Sequence, residues 1–242
     1  MKKWHGHDGG RLRFAVTPRF ALSCSRQMLR DAGRLAAEHA LIVQTHVGET
    51  KREGVETLAV HGYARNYVDV YERAGLLTER TVLAHCIHLA RDEWNRVRDT
   101  GAKVAHCPDS NFFLGSGRMR ARRAQKLGVC VALGSDIAAG RSFSLRRAMM
   151  SAYDNAMCVE QPLAAATLFE MATLRGAEAL GCADVCGSLE VGKDADMLVV
   201  PMDGLQGEPG SEELLAKLIF DTDDMAPSAV FVRGKRLAPT AA

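Results

Sequence analysis

Three short apolar runs each end on a polar side chain suited to chemistry, and this limits what the chain can fold into more than any other feature. Leu41 to Thr45 leads into His46-Val47-Gly48-Glu49, Thr81 to Ala84 leads into His85, and Val129 to Ser135 leads into Asp136. Between the runs lie segments with helical spacing. Ser25 can cap a helix reaching Glu38 that carries Leu29, Ala32, Leu35 and Ala36 on one side. Tyr67, Val70, Tyr71 and Ala74 mark another helix, Trp94 and Val97 mark one before the Ala102 to His106 run, and Met119 to Leu127 precedes the Val129 run. With Leu12 to Val16, stopped by Thr17-Pro18, the pattern amounts to five strand-helix alternations. Alternation of this kind requires parallel crossovers, so the expected class is α/β, a barrel or a doubly wound sheet. In a parallel barrel the side chains at the carboxyl ends of the strands build the active site. Two imidazoles and two carboxylates there read as a place where a metal activates water.

Size and charge are compatible with an enzyme acting on a small molecule. The chain has 242 residues, 47% of them hydrophobic, enough for a domain burying roughly 70–75% of its unfolded surface. Its 31 basic and 29 acidic residues nearly cancel, which gives no general attraction to nucleic acid or anionic membrane. The basic run Arg118, Arg120, Arg122 and Arg123 lacks interleaved aromatics and reads as a solvated helix face. The seven cysteines are odd in number and contain no CxxC pair, so free thiols in a reducing, cytoplasmic setting are expected. Cys182 and Cys186 are the only close pair, and no further zinc ligands lie near them in sequence. The amino terminus has no apolar stretch of signal type, and no run approaches the ~18 residues of a membrane helix.

After Asp136 the pattern turns long and helical, over Leu145 to Ala156 and again over Leu163 to Leu180. From Gly187 the character changes. Gly187 to Val200 reads as two short strands about a turn, and Ser228 to Val232 with Lys235 to Leu237 reads as a hairpin around Arg233-Gly234. Asp203 to Glu213, rich in Pro, Gly and acidic residues, reads as a linker or loop. The expected division is therefore residues 1–186 and 187–242.

Other candidate groups carry less chemistry. His5, His39, His61 and His88 read as ordinary surface or backbone-satisfied imidazoles. His106 ends a strand beside Cys107-Pro108, as a third site group or as part of loop structure. His5-Gly6-His7 is a His-x-His pair, but only Met1 to Trp4 precede it, with no buried strand to fix the rings. Gly134-Ser135-Asp136 with Ala138-Ala139-Gly140 lacks the spacing of a phosphate loop. Arg19-Phe20 offers a guanidinium fork and an aromatic face that could grip a flat polar ring.

Thr17-Pro18-Arg19-Phe20, Gln44 to Glu49, Ala84-His85, Ala105 to Asn111, Gly134-Ser135-Asp136 and Ser142-Phe143-Ser144 together resemble the guanine deaminases, and Gly192-Lys193-Asp194-Ala195-Asp196 resembles the amidohydrolase superfamily at large. The resemblance implies an incomplete (β/α)8 TIM-like barrel, its first strands missing, followed by the C-terminal part of a small β-sandwich. It implies that His46 and Asp136 ligate one zinc, that Glu49 shuttles protons and that His85 orients or polarises the attacking water. It also implies that Arg19 and Phe20 bind guanine, with His46, Glu49 and Asp136 facing it, and that the full-length family forms homodimers. A zinc-activated water would convert guanine to xanthine and ammonia.

The family's remaining two histidine ligands, a His-x-His pair on the first strand, have no counterpart here. The chain is thus expected to be the C-terminal portion of such an enzyme, binding metal weakly and inactive until the missing strands are supplied. The other readings are a non-catalytic remnant or subunit fragment, and an amidohydrolase acting on another amino-heterocycle.

Overall fold

A computed structural model describes residues 1, 3–202, 209–221 and 226–238. In chain order the elements begin with β1 (Ala15–Val16), α1 (Arg26–Glu38), β2 (Ile42–Val47), α2 (Lys51–Val60), α3 (Tyr67–Arg73) and β3 (Thr81–His85). There follow α4 (Arg91–Asp99), β4 (Lys103–His106), α5 (Pro108–Phe113), α6 (Ala121–Lys126) and β5 (Val131–Leu133). The remainder comprises α7 (Leu145–Cys158), α8 (Ala165–Ala172), α9 (Leu174–Ala179), β6 (Met197–Val199), α10 (Ser211–Phe220), β7 (Ala229–Val232) and β8 (Lys235–Arg236). Strands β1 to β5 form one sheet in sequence order, and every neighbouring pair is parallel. This α/β arrangement fits part of a (β/α)8 barrel. Strands β6, β7 and β8 form a separate antiparallel sheet.

Local chemistry accounts for most of the element boundaries. Ser25 caps α1 by accepting from the Met28 amide at 3.1 Å. Thr50 and Glu53 form a reciprocal capping box at the start of α2, a helix for which the Thr-x-x-Glu spacing is the sequence signal. The two sheet faces differ in size of side chain. Val43, Leu83, Val104 and Val131 lie in the main core, whereas Val82 and Ala132 form a second, smaller cluster with Ile42 and Ala105 against it. Complete burial of Leu83 and of Leu29 on α1 contributes about 1.5–3 kcal/mol each. No helix among the described residues is long and apolar enough to cross a membrane.

Three sequence expectations need correction. The single helix expected over Leu163 to Leu180 breaks at Thr173, whose hydroxyl donates to the Phe169 carbonyl at 2.8 Å and whose backbone leaves the helical region. Of the two strands expected over Gly187 to Val200, only Met197–Val199 forms. Upstream, Lys193 Nζ binds Ser188 Oγ at 2.6 Å and Glu190 Oε1 at 2.9 Å, closing a turn between Gly187 and Gly192 at positive φ. The loop expected over Asp203 to Glu213 lies outside the described residues at 203–208 and becomes helical at Ser211. Glu212 and Glu213 suit the positive helix end, and the Glu212 carboxylate accepts from the Ala165 and Ala166 amides at 2.7 and 3.2 Å.

Gly33, in the middle of α1, sits so close to the carboxyl end of α3 that a Cβ would fall 1.9 Å from the Ala74 carbonyl oxygen. Gly33→Ala should therefore lower stability by about 1–3 kcal/mol in chemical denaturation, although alanine is the better helix former. An unchanged or raised midpoint would show that α1 and α3 do not pack this closely.

Candidate functional site

The parallel register carries the candidate residues to one rim. His46 pairs with Ala84, Val47 with His85, and His106 with Leu133, so β2 to β5 end side by side. The chain leaving β1 returns along β2, where Phe20 makes an isolated parallel bridge with His46 and the His46 amide donates to the Arg19 carbonyl at 3.3 Å. That carbonyl also accepts from His46 Nδ1. The ring must then carry its proton on Nδ1, which leaves the Nε2 lone pair free. Behind it the buried Tyr71 hydroxyl ties α3 to both segments. It donates to the His46 carbonyl at 2.7 Å and accepts from the Ala21 amide at 2.8 Å and the Thr45 hydroxyl at 3.1 Å. Burial raises the Tyr71 hydroxyl above the ordinary phenol range, so it stays protonated and donating.

His85 is held in the same way. It is 1% exposed, and its Nδ1 donates to Asn111 Oδ1 on α5 at 2.9 Å, again leaving Nε2 with its lone pair. The two rings stack at 5.2 Å between centroids and 19° between planes. Three of the seven non-glycine residues at positive φ among the described residues lie here, His85, Cys86 and Asp136 at 70°, 51° and 48°. Asp136, three residues beyond β5, completes the group, and one donor atom each from His46, His85 and Asp136 lie within 4.8 Å of one another. Two imidazoles with anchored Nδ1 atoms and a carboxylate are a donor set that fits zinc.

Glu49 approaches from the turn after β2. Gly48 makes this turn at φ 56°, and a Cβ there would lie 2.9 Å from the Leu89 side chain. The Glu49 amide donates to Glu53 Oε2 at 3.0 Å, while Tyr67 donates to Glu53 Oε1 at 2.5 Å, fixing the turn from below. The Glu49 carboxylate sits with Oε2 at 3.7 Å from His85 Nε2 and with Oε1 accepting from the Ser116 hydroxyl at 2.8 Å. Arg19, Phe20, His46, Glu49, His85 and Asp136, the candidates read from the sequence, all line one cavity of about 340 Å³. That volume suits a small ligand. The Arg19 guanidinium lies 5.3 Å over the Phe20 ring in the cavity lining.

The remaining candidates fall elsewhere. His5 lines a cleft of about 390 Å³ with Ile42, Glu79 and Arg80, at the amino ends of β2 and β3 and so away from the carboxyl rim. Its Nδ1 accepts from the Phe14 amide at 3.1 Å, and His7 packs edge-on against Trp4. His106 is fully buried at the end of β4, and burial, aided by the neighbouring His85, pushes its pKa down to about 3, so it is neutral. Burial lifts the Cys107 thiol to about 12, which makes it an inert packing residue. All seven cysteines are free thiols. Asn111, Ser116 and Glu53 were not singled out from sequence as site residues. Asn111 closes the Ala105 to Asn111 motif and Glu53 belongs to the capping box, whereas Ser116 has only its place between two glycines as a signal.

Comparison with known proteins agrees with this geometry. Residues 1–237 match the model of the amidohydrolase family. Guanine deaminase of Mus musculus is 35% identical over 247 aligned residues, covering 95% of this chain and 54% of the relative. The structure of the E. coli guanine deaminase superposes with a TM-score of 0.92 at 33% identity, covering 98% of this chain and 56% of the other. A guanine deaminase from C. acetobutylicum with guanine bound in its active site gives a TM-score of 0.88 at 31% identity over 98% of this chain and 58% of the other. The chain thus spans about half the length of the curated relatives it matches. On the match across nearly its whole length, with the strand-end residues of the sheet gathered at one cavity, the chain belongs to the amidohydrolase family.

Proposed function

We propose that this site hydrolyses guanine to xanthine and ammonia. The observation that supports the reading best is the gathering of His46, His85, Asp136, Glu49, Arg19 and Phe20 on one cavity of about 340 Å³. In this reading His46 and Asp136 hold zinc. When bound, zinc supplies a Lewis acid that lowers the pKa of water from 15.7 to about 7. The other steps belong to side chains of this chain. Asp136 and Glu49 accept protons from the attacking water, and His85, anchored by Asn111, orients that water through its free Nε2. Glu49 then delivers one of these protons to the ring nitrogen as water adds to the carbon bearing the exocyclic amine, and Asp136 returns the other to the amine, so that the C–N bond breaks, ammonia leaves and the added oxygen becomes the carbonyl of xanthine. Arg19, whose guanidinium has no hydrogen-bond partner among the described residues, presents its fork to the ring carbonyl and ring nitrogen. Phe20 offers a face for the ring to stack on. The β6–β8 sheet is read as part of a small β-sandwich, following a barrel portion over residues 1–186.

The deciding experiment is ammonia release from guanine, adenosine and an aminotriazine, by the chain alone and with the amino-terminal portion of a guanine deaminase relative added. Guanine should be turned over fastest in at least one format. Absence of guanine turnover in both, or a preference for another substrate, overturns the reading.

Two variants assign roles within it. Arg19→Ala leaves the ring acceptors unpaired and should cost about 2–4 kcal/mol of transition-state stabilisation, seen as a fall in kcat/KM of roughly 30- to 1000-fold. Unchanged kcat/KM would remove Arg19 from the binding site. Glu49→Gln keeps the shape but carries no exchangeable acid, so kcat should fall by about 10²- to 10⁴-fold while zinc is retained. Loss of zinc from that variant would make Glu49 a ligand and not a proton carrier.

A further inference from the structure

Glu49 is clamped by a circuit that runs through two residues the proposed chemistry does not use. The Gly48 carbonyl, next to Glu49, accepts from the His88 amide at 2.9 Å. The His88 ring then donates from Nε2 to the Ser116 carbonyl at 2.8 Å, and the Ser116 hydroxyl donates to Glu49 Oε1 at 2.8 Å. Because a carbonyl only accepts, His88 must carry a proton on Nε2. Ser116 is 6% exposed, so its bond to the carboxylate is shielded from competing water. Its amide donates to the Asn111 carbonyl at 2.9 Å, and the Asn111 side chain is the one that anchors His85. Gly117 lets the ring and the loop meet, since a Cβ there would stand 3.1 Å from His88 Nε2, and the residue has φ 133°.

The circuit treats the two carboxylate oxygens of Glu49 differently. Oε1 is engaged by Ser116, whereas Oε2 lies 3.7 Å from His85 Nε2. We infer that His88 and Ser116 are positioning residues that hold Glu49 Oε1 and thereby confine the shuttled proton to Oε2. Neither touches the reacting atoms: Ser116 acts through Glu49, and His88 acts through Ser116. The inference deepens the proposed deaminase reading and rests on it for the identity of the proton carrier.

Ser116→Ala and His88→Phe each open the circuit, while Ser116→Thr and His88→Gln keep a donor at the same place. In whichever format turns over guanine, Ser116→Ala should lower kcat by about 10- to 100-fold with KM within about 3-fold, the size expected for one hydrogen bond to a charged group. The donor-retaining variants should recover most of that loss. The double variant Ser116→Ala, His88→Phe should be no worse than Ser116→Ala alone, because both changes cut one circuit. An unchanged kcat in Ser116→Ala, or losses that multiply in the double variant, would overturn the inference. Amide hydrogen exchange gives a readout independent of turnover. Exchange at Gly48 to Thr50 should quicken in Ser116→Ala and in His88→Phe, with global stability unchanged. Unaltered exchange there would refute the clamp, whereas absence of turnover with altered exchange would refute only the deaminase reading.

Discussion

Parallel pairing in register is the constraint on which the site depends. With β2, β3, β4 and β5 aligned, residues far apart in sequence reach the same rim, and a slip of one residue would turn each side chain to the opposite sheet face. The sheet is held in that register by what lies behind it. β3 is buried along its whole length, and the Tyr71 hydroxyl links α3 to the end of β2 and to the segment after β1. A single buried phenol therefore connects the core to the backbone that presents His46. The cost of holding the non-glycine residues His85 and Asp136 at positive φ is about 1–2 kcal/mol each, offset by this surrounding packing.

The anchored imidazoles turn position into chemistry. A neutral histidine has two tautomers, and only an acceptor at Nδ1 guarantees a lone pair at Nε2. The Arg19 carbonyl does this for His46 and the Asn111 amide oxygen does it for His85, so both rings reach the cavity with a lone pair at Nε2. His106 shows the contrast. It too ends a strand, yet it is sealed from solvent without a hydrogen bond to either nitrogen among the described residues, and burial keeps it neutral.

The alternation of strands and helices, and with it the gathering of the candidate residues at one rim, was legible because each relevant signal is local. His46, His85 and Asp136 each close an apolar run, Ser25 caps its helix, and the Lys235 strand follows an Arg-Gly turn. Contacts that span long stretches of chain were not legible. Ser116 reaches Glu49 across 67 residues and Asn111 reaches His85 across 26, and no spacing rule links such pairs before the fold exists. The missed break at Thr173 and the lost strand before Met197 have a different origin. In both, side chains bond to nearby groups and compete with regular structure at positions where the apolar pattern alone favours it.

Zinc affinity, measured by competition with a chelator, tests most directly whether the anchored His46 and the strained Asp136 hold a metal. The 242-residue chain should bind zinc measurably, though weakly with so few ligands, and His46→Asn and Asp136→Asn should each weaken it further by at least about 10- to 100-fold. Equal affinity in all three proteins would contradict a metal centre at this rim.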